Sequence, residues 1–130
     1  MIKARSLLTI ATLAAAVTLA GAMPALASKN ASVLTNDAAP GGKAIFTDVG
    51  YHYELKACDL QKDGWAAVAY ASFHKWGRQN RVVDLNSKGG CVRTFIYVLG
   101  RNLGRPVYVT VCLDKRNTPE RFCDYNVGRT

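Results

Sequence analysis

Two histidines, His52 and His74, are the only imidazoles in this 130-residue chain. With a carboxylate beside them they could run general acid–base chemistry of the kind a small ribonuclease uses. Glu54 lies two positions from His52, so in an extended strand both side chains leave on the same face. Asp59 and Asp63 bracket a turn, and two carboxylates so placed could share a calcium ion. Only two acidic groups stand there, however, and Lys62 lies between them. Turn formation by Asp59 and by Asp63-Gly64 accounts for the pattern without a metal. The chain has no G-x-S-x-G, H-E-x-x-H or phosphate-binding glycine loop. We therefore assign no catalytic residue, no metal site and no cofactor from the sequence.

Four cysteines, Cys58, Cys91, Cys112 and Cys123, are spaced 33, 21 and 11 apart, with no C-x-x-C. That spacing fits no zinc pattern. An even number in a small exported chain predicts two disulfides. Four cysteines allow three pairings, and sequence does not choose among them. Cys112 and Cys123 flank one hairpin loop, which favours joining them and leaves Cys58 for Cys91.

The densest mixture of positive charge and aromatic surface is Lys75, Trp76, Arg78 and Arg81, in a polar stretch after Phe73. Guanidinium forks suit phosphate and carboxylate, and an indole offers a flat stacking face. The plainer reading is that Trp76 folds back over the end of the domain and the cations are solvated. Trp65 opens an apolar segment and is expected in the core. Further basic residues fall at other turns, among them Lys88, Arg93, Arg101, Arg105, Lys115, Arg116 and Arg121.

The elements that must position these groups read as β. Lys3 and Arg5 precede an apolar run from Leu7 to Ala22, and Ala25-Leu26-Ala27 forms an A-x-A site. This is the pattern of a secretory signal peptide over residues 1–27, cleaved before Ser28, rather than a transmembrane anchor. Cleavage leaves 103 residues with 15 Lys+Arg against 9 Asp+Glu, a net charge of +6. Ser28 to Gly42 has no period and reads as a flexible leader. Residues 43–130 read as one domain.

Within that domain Tyr51, Tyr53, Leu55 and Ala57 alternate with His52, Glu54, Lys56 and Cys58, which puts the histidine on the polar face. Trp65 to Phe73 is apolar on both faces, as in a central strand; its four alanines also permit a helix, but the flanking turns and aromatic ends favour the strand. Val107, Val109, Val111 and Leu113 alternate with Tyr108, Thr110 and Cys112. Asp114 to Glu120 reads as a longer loop, and Phe122 to Val127 as a last strand. Tyr53–Asp59 and Tyr108–Asp114 echo one another, each ending a strand on Cys near Asp. Six or seven short strands with loops between them predict an all-β, antiparallel, immunoglobulin-like β-sandwich, with a small barrel as the alternative.

Ala57-Cys58-Asp59, Asp63-Gly64, Gly90-Cys91 and Val111-Cys112-Leu113, followed by a last cysteine, resemble a group of small secreted proteins common in actinobacteria. The resemblance runs from Ile45 to Tyr125. It implies a small exported β-domain and brings no catalytic residues.

A basic exported domain meets anionic wall polymers, membranes and extracellular nucleic acid. The sequence is read as a secreted, monomeric, non-catalytic binding module, for an anionic cell-surface polymer or a protein partner, without specific nucleic-acid recognition. The alternatives are a small hydrolase or toxin using His52, Glu54 and His74, and a protease inhibitor presenting Asp114–Glu120 as a rigid loop.

Overall fold

The computed structural model describes residues 28–85, 89–96 and 104–130. Among these there is no helix, and hence none long and apolar enough to cross a membrane. Eight strands run in the order β1 (Ala31–Leu34), β2 (Gly42–Asp48), β3 (Tyr53–Asp59), β4 (Ala66–Ser72), β5 (Arg81–Asp84), β6 (Val92–Ile96), β7 (Pro106–Lys115) and β8 (Thr118–Arg129). They form two four-stranded antiparallel sheets, β1-β2-β3-β6 and β5-β4-β7-β8. The sheets pack face to face as a sandwich and do not close into a barrel.

Side-chain alternation decides what lies between the sheets. Ala44, Phe46, Tyr53, Leu55 and Ala57 enter from one sheet, and Ala69, Ala71, Val82, Val107, Val109 and Val111 from the other. Phe46 and Tyr53 stack with ring centroids 5.2 Å apart and supply most of the bulk on their side. The facing alanines of β4 leave room for those two rings.

Four expectations are corrected. The segment 28–42 is no loose leader. Ala31 and Val33 are buried in β1, which pairs with β2 in a register running from Ala31↔Phe46 to Leu34↔Lys43. The strand is only four residues long, with two small side chains, so its period is too brief to show in the sequence. It raises the count to eight. Tyr51 does not continue the apolar face of β3: it is 86% exposed, ahead of the strand. Asp114–Glu120 is not a long loop. β7 and β8 pair as far as Lys115↔Thr118, leaving a tight turn at Arg116-Asn117, with Asn117 at φ 60°. Asparagine tolerates that left-handed conformation better than most residues. Finally, Trp65 is not a core residue. It is only partly buried, beside a surface groove, with the Lys115 ammonium 5.6 Å from its ring.

Both disulfides join neighbouring strands of one sheet. Cys58–Cys91 links the end of β3 to the residue before β6, and Cys112–Cys123 links β7 to β8. In each case an outward-facing cysteine on an interior strand is bonded to an edge strand, so the echo between Tyr53–Asp59 and Tyr108–Asp114 occupies equivalent places in the two sheets. Beside Cys123, Phe122 bulges out of the ladder at φ 54°, because Leu113 faces Arg121 while Val111 faces Asp124. The free edge of β8 is covered by the first strand. Asn36 N–H donates to the Phe122 carbonyl at 3.1 Å, Asn126 Nδ2 donates to the Ser32 carbonyl at 3.1 Å, and Lys29 and Arg129 exchange backbone bonds.

Candidate functional site

β4 is buried along its whole length, and the core explains only half of that. Ala67, Ala69 and Ala71 face the other sheet. Val68, Tyr70 and Ser72 point the opposite way, yet all three are buried. On β7 the same holds for Thr110 and Cys112. The cover is the connection between β4 and β5, residues 73–80, which folds back as a strap over the outer face of β5-β4-β7-β8.

The strap is fastened at several points. Gln79 accepts from Ala71 N–H at 3.2 Å through its carbonyl, and Asn80 Nδ2 donates to the Ala71 carbonyl at 3.0 Å. Gly77 N–H donates to the His74 carbonyl at 2.9 Å, closing a turn. Arg78 Nη1 donates to Glu120 and to the Tyr70 hydroxyl, and that hydroxyl in turn donates to Glu120. Burial, and then the bond to Glu120, push the Tyr70 phenol above its usual range. Trp76, at φ 60°, meets the Tyr125 ring edge-on at 5.0 Å and keeps 48% of its surface exposed. Tyr108 lies against Tyr125 at 5.9 Å, and the Lys75 ammonium lies 4.8 Å from the Tyr125 ring centre.

The four residues singled out from the sequence are thus on one strap, but they do different things. Lys75 and Trp76 face solvent over the tyrosines. Arg78 holds the strap down by pairing with Glu120. Arg81, already on β5, stands 3.9 Å from Asp114. Both readings of Trp76 describe part of the result, since it lies over the sheet and half of it remains open. The sequence did not point to Tyr70, Tyr108, Thr110, Glu120 or Tyr125. Alternation in β7 did put Tyr108 and Thr110 on the outward face, but nothing in the pattern announced the strap above them. Arg105 joins the same end of the sandwich, 4.0 Å over the Phe73 ring. Arg101 and Lys88 lie outside the described residues.

The ribonuclease-type constellation is not assembled as the sequence suggested. His52 is buried rather than on a wet face, and packs edge-on against Tyr51 at 4.3 Å and Phe95 at 4.6 Å. Glu54 is held by Lys56 at 2.9 Å and Arg93 at 3.4 Å. His74 belongs to the strap on the other sheet. Asp59 and Asp63 each cap a turn, accepting from Gln61 N–H at 3.2 Å and Trp65 N–H at 3.0 Å. Among the described residues, the single group of three potential metal ligands is Cys112, Glu120 and Cys123, and its sulfurs are spent in the disulfide.

Two buried carboxylates should respond to pH in opposite senses. The Lys56 hydrogen bond, helped by the Lys56 and Arg93 charges, holds Glu54 below its ordinary value near 4.5 despite burial. Its contribution is fully present above that value and is lost as pH falls through the depressed folded value. Glu54→Gln should cost about 1 kcal/mol at neutral pH and blunt the acid limb of the stability curve. Burial, with Asp63 and Asp84 nearby, raises Asp59. Its charged form is therefore a burden that grows as pH rises through the raised value, and Asp59→Asn should stabilise at neutral pH while changing little in acid. Urea melts of both variants between pH 3 and 7 check the two signs.

No family model matches this chain, and neither curated proteins nor solved structures give a match.

Proposed function

We propose that the protein is an exported, non-catalytic binding module whose strap engages an anionic polymer at the cell surface. The observation that carries this reading is the half-exposed Trp76 lying over the half-buried Tyr125 and Tyr108 of the sheet, with the Lys75 ammonium beside them, on a connection fastened to that sheet. A fixed aromatic platform binds without first being ordered, which removes a large entropic cost of recognition. Two disulfides and a basic surface suit life outside the cell. An acid–base enzyme is disfavoured because His52 sits against Tyr51 and Phe95 while Glu54 is taken by Lys56 and Arg93. An inhibitory loop at Asp114–Glu120 is disfavoured because the segment is a tight hairpin turn.

The test is a pull-down on cell-wall material, teichoic acid and nucleic acid at low and moderate salt. Wild type should bind the acidic wall polymer weakly, and binding should fall as salt shortens the screening length. Lys75→Ala and Arg81→Ala should each weaken it about threefold, the scale of an exposed charge. Trp76→Ala should weaken it about tenfold. Binding by the Lys75/Trp76/Arg81 triple alanine variant equal to wild type would sink the proposal.

A further inference from the structure

Under the strap lies a recess of about 40 Å³, lined by Tyr70, Trp76, Gly77, Arg78, Thr110 and the Cys112–Cys123 disulfide. Thr110 is one of its walls. Thr110 is 4% exposed, and its hydroxyl has no hydrogen-bond partner. A buried hydroxyl without a partner is costly, so such a group points to a polar group that fills the gap. The recess is large enough for a water or a group of similar size. Trp76, half exposed, is another of its walls and supplies a flat apolar face.

The chemistry of the walls selects the occupant. Arg78 is already neutralised by Glu120, so it offers no spare charge. The Glu120 carboxylate lies within 4.8 Å of both disulfide sulfurs and is tied to Arg78, so the pair presents no net positive charge to the recess. A phosphate or carboxylate would find no free cation there and is too bulky to enter. A neutral hydroxyl meets neither objection and gives Thr110 its missing partner. A pyranose ring combines the two requirements. Its C–H faces lie well on the negative face of an aromatic ring, and its rim carries hydroxyls that project sideways. Resting on the binding reading above, we infer that the strap is a glycan subsite: a sugar ring stacks on Trp76, one of its hydroxyls enters the recess to bond Thr110 Oγ1, and any acidic substituents lie outward toward Lys75.

Titration calorimetry with three probes separates this from generic charge attraction: a hyaluronan oligosaccharide, a neutral N-acetylglucosamine oligosaccharide, and polyphosphate matched in charge to the first. Hyaluronan should bind about tenfold tighter than polyphosphate, because only the sugar satisfies the buried hydroxyl. Thr110→Val keeps the shape and removes the hydroxyl. It should weaken both glycans about fivefold to tenfold and leave polyphosphate unchanged. Equal affinity for hyaluronan and polyphosphate, or glycan affinity indifferent to Thr110→Val, would overturn the glycan subsite while leaving polyanion binding in place. Glycan binding sensitive to Thr110→Val, with polyphosphate and salt both without effect, would keep the subsite and remove the charge-driven reading. No binding to any probe would remove both. Should the valine variant fail to fold, NMR on the wild type reads the same contact. Nuclear Overhauser effects between the Thr110 methyl and sugar ring protons are expected in the saturated complex, and their absence overturns the subsite.

Discussion

Gly77→Ala is expected to lower stability by about 2–3 kcal/mol, a fall in Tm on the order of 10 °C or more for a domain of this size, and to abolish binding at the strap. A β-carbon at position 77 would stand 2.0 Å from Ser72 Oγ, 2.5 Å from Ser72 Cβ and 2.9 Å from the His74 carbonyl. Rotating the serine relieves the first clash but leaves the other two. The constraint is one of space, since Gly77 is not among the residues with positive φ. To make room the strap must lift, and lifting it uncovers Tyr70 and Thr110 and moves Trp76 off Tyr125. The accompanying signs should be a loss of near-ultraviolet circular dichroism and a red shift in tryptophan emission. Because the clash is with Ser72, the Ser72→Gly/Gly77→Ala double variant should recover part of the loss relative to Ser72→Gly alone. A Gly77→Ala protein that melts like wild type would mean that the strap does not rest on the sheet.

Removal of the disulfides is the second large effect. On the chain-entropy model, loops of 33 and 11 residues contribute ~4 and ~3 kcal/mol respectively. A domain of about 100 residues holds only some 5–15 kcal/mol in total. Cys58→Ala/Cys91→Ala should therefore leave a marginal fold, and full reduction should unfold the protein near 37 °C. The two bonds should also differ in what they protect. Loss of Cys112–Cys123 removes the floor of the recess and frees the bulged Phe122 strand, so it should weaken ligand binding more than its share of stability implies. Loss of Cys58–Cys91 acts on the opposite sheet and should lower Tm with little change in affinity for the molecules still folded. Thermal melts and calorimetry on the two double-alanine variants check this. Equal effects on affinity would contradict it.

The parts of the fold that were legible in the sequence are those governed by local alternation. Val107 to Leu113 and Tyr53 to Ala57 each send apolar residues to the core face and mostly polar ones to the other, so their period of two is unbroken in the sequence, although Glu54, Thr110 and Cys112 on the outer faces are covered as well. Trp65 to Phe73 was read as apolar on both faces, and β4 proves buried on both, but one of its covers is a loop whose path depends on contacts far apart in sequence. Arg78 looked free because its partner, Glu120, stands 42 positions later. Thr110 looked like an ordinary outward threonine, and its isolation follows from the strap alone. β1 was hidden for a different reason, being too short to show a period and held by pairing with β2. Charge and aromatic density located the right segment, while tertiary pairing decided which of its residues remain available.

Because the two bridges each lie within one sheet, nothing covalent crosses from face to face except the chain itself. The arrangement has a mechanical consequence. The first strand and the last lie side by side, joined by the Lys29–Arg129 bridge, so a pull applied between them loads the seam between the sheets directly. Resistance there comes from hydrogen bonds and the apolar core. Once that seam parts, the 33-residue and 11-residue loops remain tied off and yield no length, each withheld residue being worth ~3.5 Å of extension. A tethered molecule stretched to failure would open early and then stop short, with β4, β5 and the strap still enclosed in the larger loop. The strap, with Lys75 and Trp76 on it, would then be among the last parts of the chain to be drawn out straight.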